Sequence, residues 1–176
     1  MTYTTVPYTT YLKETLTVLD DPGLLLVTSA DGRANAMTIG WGTIGLIWGK
    51  PIMAVLVRPS RYTYTLLEQS DSFTVCVPSP GMREAVEYCG QYSGRDQDKL
   101  KACNLSIRPS LHVRAPAIDG CPIIYECRIV HKNDVVPATL AADITAYPRG
   151  DYHRIYFGEI LAVRALPDAP TVLSQG

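Results

Sequence analysis

The chain is poor in the features that announce many common functions. It has no apolar run near the roughly 20 residues that cross a bilayer as a helix, so a helical membrane protein is not expected. Its first ten residues are polar, rich in Thr and Tyr, and lack the basic and apolar stretches of a secretory leader. Residence in the cytoplasm is the expectation that follows. There is no excess of either charge: 16 Lys and Arg stand against 17 Asp and Glu, a formal net charge of −1. Broad binding to a nucleic-acid backbone needs clustered Lys and Arg and is not expected; a local anion site made from two or three basic residues is still compatible. No Gly-x-Gly-x-x-Gly opens a helix after a strand, which removes the usual dinucleotide fingerprint. The five cysteines, Cys76, Cys89, Cys103, Cys121 and Cys127, are odd in number, irregularly spaced and include no Cys-x-x-Cys pair. Cys121, Cys127 and His131 match no common zinc spacing, so neither a disulfide framework nor a metal site is expected. Cys76 and Cys127 read as small buried hydrophobes.

What is present describes a folded domain. Of the 176 residues, 47% are apolar and 19% charged, a balance that supports a hydrophobic core and argues against disorder. With no repeat, linker or low-complexity tract, residues 1–176 read as one domain. Residues 8–19 carry Tyr8, Tyr11, Leu12, Leu16 and Leu19 near helical spacing, and Asp20-Asp21-Pro22-Gly23 stops the helix. Two strand-like runs, Leu24 to Ser29 and Arg33 to Ile39, flank Ala30-Asp31-Gly32, a strong hairpin signal. Pro51 to Val57 and Ser72 to Val77 read as buried strands, with a short helix over Tyr62 to Gln69 between them. Met82 to Cys89 and Arg95 to Cys103 read as helices. Pro122 to His131, Ala138 to Tyr147 and His153 to Val163 return to strand, separated by the turn residues Asn133-Asp134 and Pro148-Arg149-Gly150-Asp151. Strands that mostly follow one another, with helices clustered mid-chain, predict a mainly β fold. An antiparallel β-barrel with inserted helices fits better than a doubly wound parallel sheet.

Two segments carry candidate chemistry. Arg58-Pro59-Ser60-Arg61-Tyr62-Thr63 follows a buried strand and opens a helix. Pro59 ends the strand, and Ser60 is a candidate N-cap. Unpaired first-turn amides and the helix dipole favour an anion there. Arg58 and Arg61 add charge-assisted donors, and Thr63 adds a hydroxyl. The plainer reading is a capped helix with two surface arginines. Basic residues at a helix start oppose the dipole unless an anion compensates, which favours a phosphate. The second segment, Asn35-Ala36-Met37-Thr38 followed by Gly40-Trp41-Gly42, offers side-chain hydrogen bonds and polarizable apolar surface where the backbone is open to close approach. Such a slot suits a flat ring, though a Gly-broken strand with a core Met and Trp has the same pattern.

Taken in order, Asn35-x-Met37-Thr38, Trp41, Arg58-Pro59-Ser60-Arg61-Tyr62-Thr63, Phe73-Thr74-Val75 and Ser93-Gly94-Arg95-Asp96-x-Asp98-Lys99 resemble the flavin reductase-like, FMN-binding split-barrel proteins, with the flavoredoxin branch nearest. The similarity spans roughly residues 20 to 165. It implies a split barrel with Greek-key connections, forming a homodimer with non-covalent FMN near the interface. On that resemblance Asn35, Ala36, Met37, Thr38 and Trp41 line the ring and ribityl chain. Arg58, Ser60, Arg61, Tyr62 and Thr63 hold the phosphate end, and Ser93, Gly94 and Lys99 reach the flavin from a separate segment. A histidine at the position of His153 lies near the active cavity, where its near-neutral unperturbed pKa suits proton handling or nicotinamide placement. His112 and His131 read as structural. Gly42 departs from members that carry a hydroxyl there, which loosens the expected contact near Trp41.

The resemblance also implies electron transfer from NAD(P)H through FMN to an acceptor, such as a redox partner protein or a monooxygenase. Flavin chemistry resides in the cofactor, so no nucleophilic triad or carboxylate pair is required. Two other readings stand beside it: an FMN electron carrier without direct NAD(P)H activity, and a non-catalytic flavin- or haem-binding split barrel.

Overall fold

The computed structural model describes residues 2–174. Its order is β1 (Thr4–Val6), α1 (Leu12–Asp20), β2 (Leu24–Ala30), β3 (Arg33–Ile39), β4 (Gly42–Ile47), β5 (Lys50–Val57), α2 (Tyr62–Leu67), β6 (Ser72–Val77), α3 (Arg83–Gln91) and α4 (Lys99–Ala102). Then follow β7 (Ile107–Arg108), β8 (Ala117–Ile118), β9 (Ile123–Asp134), β10 (Arg154–Ala165) and α5 (Ala169–Leu173). The main sheet has eight strands in the order β3-β2-β6-β9-β10-β5-β4, with β1 added on β10. Every strand pair in it is antiparallel. Strands β6, β9 and β10 lie side by side in chain order, and β5 returns to pair beyond β10, which is a Greek key.

The two edge strands, β3 and β4, are neighbours in sequence, joined only by Gly40 and Trp41. The barrel is therefore split where this short link crosses from one edge to the other. β4 is an addition to the sequence expectation, which ended a strand at Ile39 and placed none over Gly42 to Ile47. The tight turn Trp48-Gly49 pairs β4 with β5, and both residues take positive φ, 55° and 68°. Two central residues with φ above zero match the twist of paired strands.

Burial explains the sequence pattern of β2. Leu24 and Leu26 point into the barrel with Met37, Val55, Phe73, Tyr125 and Tyr156. Leu25 and Val27 face outward into a second apolar layer with Ala36, Cys76, Val86, Cys89 and Ile118. A strand covered on both faces reads as a continuous apolar run rather than an alternation. Cys76 and Cys127 are fully buried within these layers, and no group of ligands able to hold a metal occurs among the described residues.

Three expected elements differ. The helix expected over 8–19 starts only at Leu12, because Tyr8 to Tyr11 form turns ahead of it. The helix expected from Arg95 to Cys103 is confined to Lys99–Ala102, where the Asp98 carboxylate caps it by accepting from Lys101 N at 3.1 Å. Asp96 and Asp98 favour turns over helix interior for the same reason. Ala138 to Tyr147 is not a strand. β9 runs on to Asp134 and pairs with β10 at Arg154, so the intervening residues have no strand to join. They form a loop with one 3-10 turn at Pro137–Thr139. No helix among the described residues is long and apolar enough to cross a membrane.

Candidate functional site

The site lies at the split, where β3, the C-terminal end of β5, α2 and the segment after α3 converge. Two cavities, of about 120 and 210 Å³, share Met37, Thr38 and Arg61 as common walls. The smaller is bordered by Asn35, Ser60, Tyr62, Thr63, Ser93, Gly94 and Lys99. The larger is bordered by Trp41, Leu56, Arg58 and His153. Residues expected to act together from distant parts of the sequence are thus brought around one groove. Ala36 is the exception. Its side chain faces the outer apolar layer with Val27 and lines neither cavity.

Local packing fixes the smaller cavity. Asn35 Nδ2 donates to Thr63 Oγ1 at 2.8 Å, so the Thr63 hydroxyl accepts there and its own proton is free to point elsewhere. Thr38 Oγ1 donates to the Val86 carbonyl, which ties β3 to α3. Gly94 has no room for a side chain: a Cβ there falls 2.1 Å from Asn35 Oδ1 and 2.7 Å from Tyr62 Cδ1.

The electrostatics of this cavity are unbalanced. Lys99 is only 4% exposed, yet its ammonium donates within the protein to one group, the Cys89 carbonyl at 3.0 Å. Burial lowers its pKa, and the nearby Arg61 guanidinium pushes it the same way. Neither Lys99 nor Arg61 forms an ion pair among the described residues. Two cations facing one pocket with no carboxylate between them create a demand for an anion. A phosphate ester meets it, with the Thr63 and Ser93 hydroxyls lining the same cavity as further donors. α2 is six residues long and begins after Arg61 rather than on a Ser60 cap; no side chain caps it. The anion preference therefore comes from side chains more than from a helix dipole.

The larger cavity has an apolar and aromatic lining suited to a flat ring, with Met37, Ile39, Trp41, Leu56 and His153 on its walls. Trp41 is 45% exposed and packs 5.0 Å from His153, centroid to centroid. His153 precedes β10, is 9% exposed, and hydrogen-bonds through Nδ1 with the Tyr147 hydroxyl at 2.8 Å. Burial, reinforced by Arg58 and Arg61, lowers its pKa to about 4. The imidazole is thus neutral near pH 7, in contrast to the near-neutral titration expected from the sequence.

Several participants were not anticipated. Gly90, Gln91 and Tyr92 line the smaller cavity, and the loop between β9 and β10 contributes Tyr147 and Asp151. Arg58 donates from Nη1 to the Asp151 carbonyl at 3.0 Å and from Nη2 to the Ala146 carbonyl at 3.1 Å. The Asp151 carboxylate accepts from Ser60 N at 3.2 Å and Ser60 Oγ at 2.6 Å. Pro148-Arg149-Gly150-Asp151 carried only a turn signal in the sequence, which gave no sign of these contacts.

Comparison with known proteins agrees with this geometry. A flavoredoxin of Desulfovibrio vulgaris (Miyazaki F) superposes with a TM-score of 0.68 at 27% identity, covering 84% of this chain and 70% of that one. A flavoredoxin from Methanosarcina acetivorans gives the same TM-score and identity, with 84% and 69% covered. Among curated sequences, an uncharacterized protein of Archaeoglobus fulgidus is 29% identical over 138 residues, 78% of this chain and 69% of that protein. The model of the flavin reductase like domain matches residues 22–175. With the split barrel and its groove in place, that match shows that the chain belongs to the flavin reductase like domain family.

Proposed function

We propose that the chain binds FMN non-covalently in the paired cavities and serves as an NAD(P)H-dependent flavin oxidoreductase, passing electrons to a redox partner protein or a monooxygenase. The observation that carries this reading is the buried, single-bonded Lys99 facing Arg61 across an anion-sized cavity. With the phosphate held there, Asn35 and Thr38 would meet the ribityl chain, and Met37, Trp41 and His153 would border the ring. When bound, FMN supplies reversible two-electron chemistry between a nicotinamide donor and an acceptor.

The protein's own part is placement and electrostatics. Arg61 and Lys99 neutralise the phosphate, and Thr63 and Ser93 orient it through their hydroxyls. Trp41 and Met37 provide apolar surface for the ring while leaving the slot open to solvent on one side. His153, neutral and held through Nδ1 by Tyr147, borders the slot and keeps its second ring nitrogen free of that bond. A homodimer belongs to the same proposal, supported by the exposed Leu46 and Trp48 at the β4 edge.

The NADH:FAD oxidoreductase of Streptomyces globisporus shares the fold, with a TM-score of 0.62 at 19% identity; that likeness bears on fold alone. The electron-carrier reading is kept as the alternative because flavoredoxins are among the structures matched. The test has two parts. The purified protein is expected to show an oxidised-flavin absorbance band, and stopped-flow mixing with NADH or NADPH is expected to bleach it quickly and saturably. Slow bleaching without saturation supports a carrier, and absence of flavin uptake overturns the reading. Sedimentation as a monomer removes the dimer from it.

A further inference from the structure

The loop from Val135 to His153 is closed at its base by Val135 N donating to the His153 carbonyl at 2.9 Å and by the Asp134–Arg154 pairing. Ordered loops of this length without regular structure usually have a function. Its C-terminal half, Ala146 to Asp151, lies against the candidate phosphate seat. Arg58 binds the Asp151 and Ala146 carbonyls, and its guanidinium lies 5.0 Å from the Tyr147 ring centroid. The Asp151 carboxylate accepts from both the Ser60 amide and the Ser60 hydroxyl. Those two donors are among the ones a phosphate was expected to take. Asp151 holds this position with a φ of 57°.

The seat is therefore divided. Its Ser60 flank is already satisfied by a carboxylate, while Arg61 and Lys99 have none. We infer that Asp151 is a specificity-determining residue, which makes the seat favour a flavin ending in one phosphate over a flavin carrying a second phosphoryl group. The inference rests on the reading that the cavity holds FMN.

Charge distribution gives the reason. A phosphate monoester concentrates a charge of about −1.5 to −2 on one terminal group near neutral pH, which matches Arg61 and Lys99 together. In a flavin dinucleotide the two phosphoryls share the charge, one each, and the chain must continue past the seat. On one side Gly94, packed against Asn35 and Tyr62, stands between the seat and a larger cavity that the same residues also line. A second phosphoryl extended past Ser60 meets the Asp151 carboxylate and finds the Ser60 donors taken. Like-charge contact and lost hydrogen bonds both count against it.

The test is equilibrium dialysis of FMN, FAD and riboflavin against the parent chain, Asp151→Asn and Asp151→Gly. Glycine adopts positive φ freely, so the second variant removes the carboxylate without straining the turn. Thermal melting checks that both variants stay folded. The ratio of FAD to FMN dissociation constants is expected to fall about fivefold or more in both variants, the scale of a partly exposed charge contact, with riboflavin unchanged. An unchanged ratio overturns the inference. So does an equal tightening of FMN and FAD, which marks Asp151 as a general competitor for phosphate. If the parent binds no FMN, the underlying reading fails and takes the inference with it; if it binds FMN and the ratio does not move, only the inference fails.

Discussion

Lys99 and Arg61 are the residues whose surroundings ask most clearly for a ligand. A surface lysine keeps its ammonium in water, whereas Lys99 is buried with one carbonyl partner and a like charge nearby. Replacing either cation should weaken FMN binding by about tenfold or more, since a charge-assisted hydrogen bond contributes roughly 1.5–3 kcal/mol. Arg58→Ala should cost less affinity, because its guanidinium is engaged by the loop carbonyls. Dialysis of the single variants checks the ranking. His153 supports a prediction about pH. Its folded pKa is depressed to about 4 from 6.5, so between these values the unfolded chain binds the proton and the folded chain does not. Stability attributable to this group is full above pH 6.5 and is lost as pH falls toward 4. His153→Asn should flatten the melting temperature between pH 6.5 and 4, and an unaltered pH profile would show that other groups set it.

At the level of elements, the segment after α3 is the most sensitive. Gly94→Ala drives a methyl into Asn35 and Tyr62. Its expected outcome is loss of FMN affinity together with a destabilisation of about 1–3 kcal/mol, measured by urea unfolding and dialysis. The β2–β3 hairpin was legible because Asp31-Gly32 sits between apolar runs, and β6 was legible as an apolar run bounded by polar residues. β4 was not: its glycines at Gly42 and Gly45 hide strand character, and its pairing depends on β5 rather than on its own propensity. Ala138 to Tyr147 erred in the other direction, since local β preference counts for little where no strand offers free backbone groups. For the site, Asn35, Thr38, Arg61 and Lys99 were legible as an ordered set of motifs. Asp151 was not, because an acidic residue in a turn gives no hint that it will meet Ser60 across the fold.

The described residues are held by a barrel core, an outer apolar layer and a buried ion pair that joins distant segments. Glu126, with no exposure, meets Arg164 Nε at 2.7 Å and accepts from Leu111 N at 3.0 Å and His112 N at 2.8 Å. It fastens the loop after β7 onto β9 and β10. Glu126→Ala leaves a guanidinium uncompensated and should destabilise the fold by about 3–5 kcal/mol, read by urea unfolding. It lies away from the groove, so the remaining folded protein should bind FMN normally. The central claim concerns the groove itself, and the most direct measurement is FMN and riboflavin binding by the parent and by the Arg61→Ala, Lys99→Met double variant. The account predicts that the parent prefers FMN strongly over riboflavin and that the double variant loses this preference while staying folded. Equal affinity for FMN in parent and variant would contradict it.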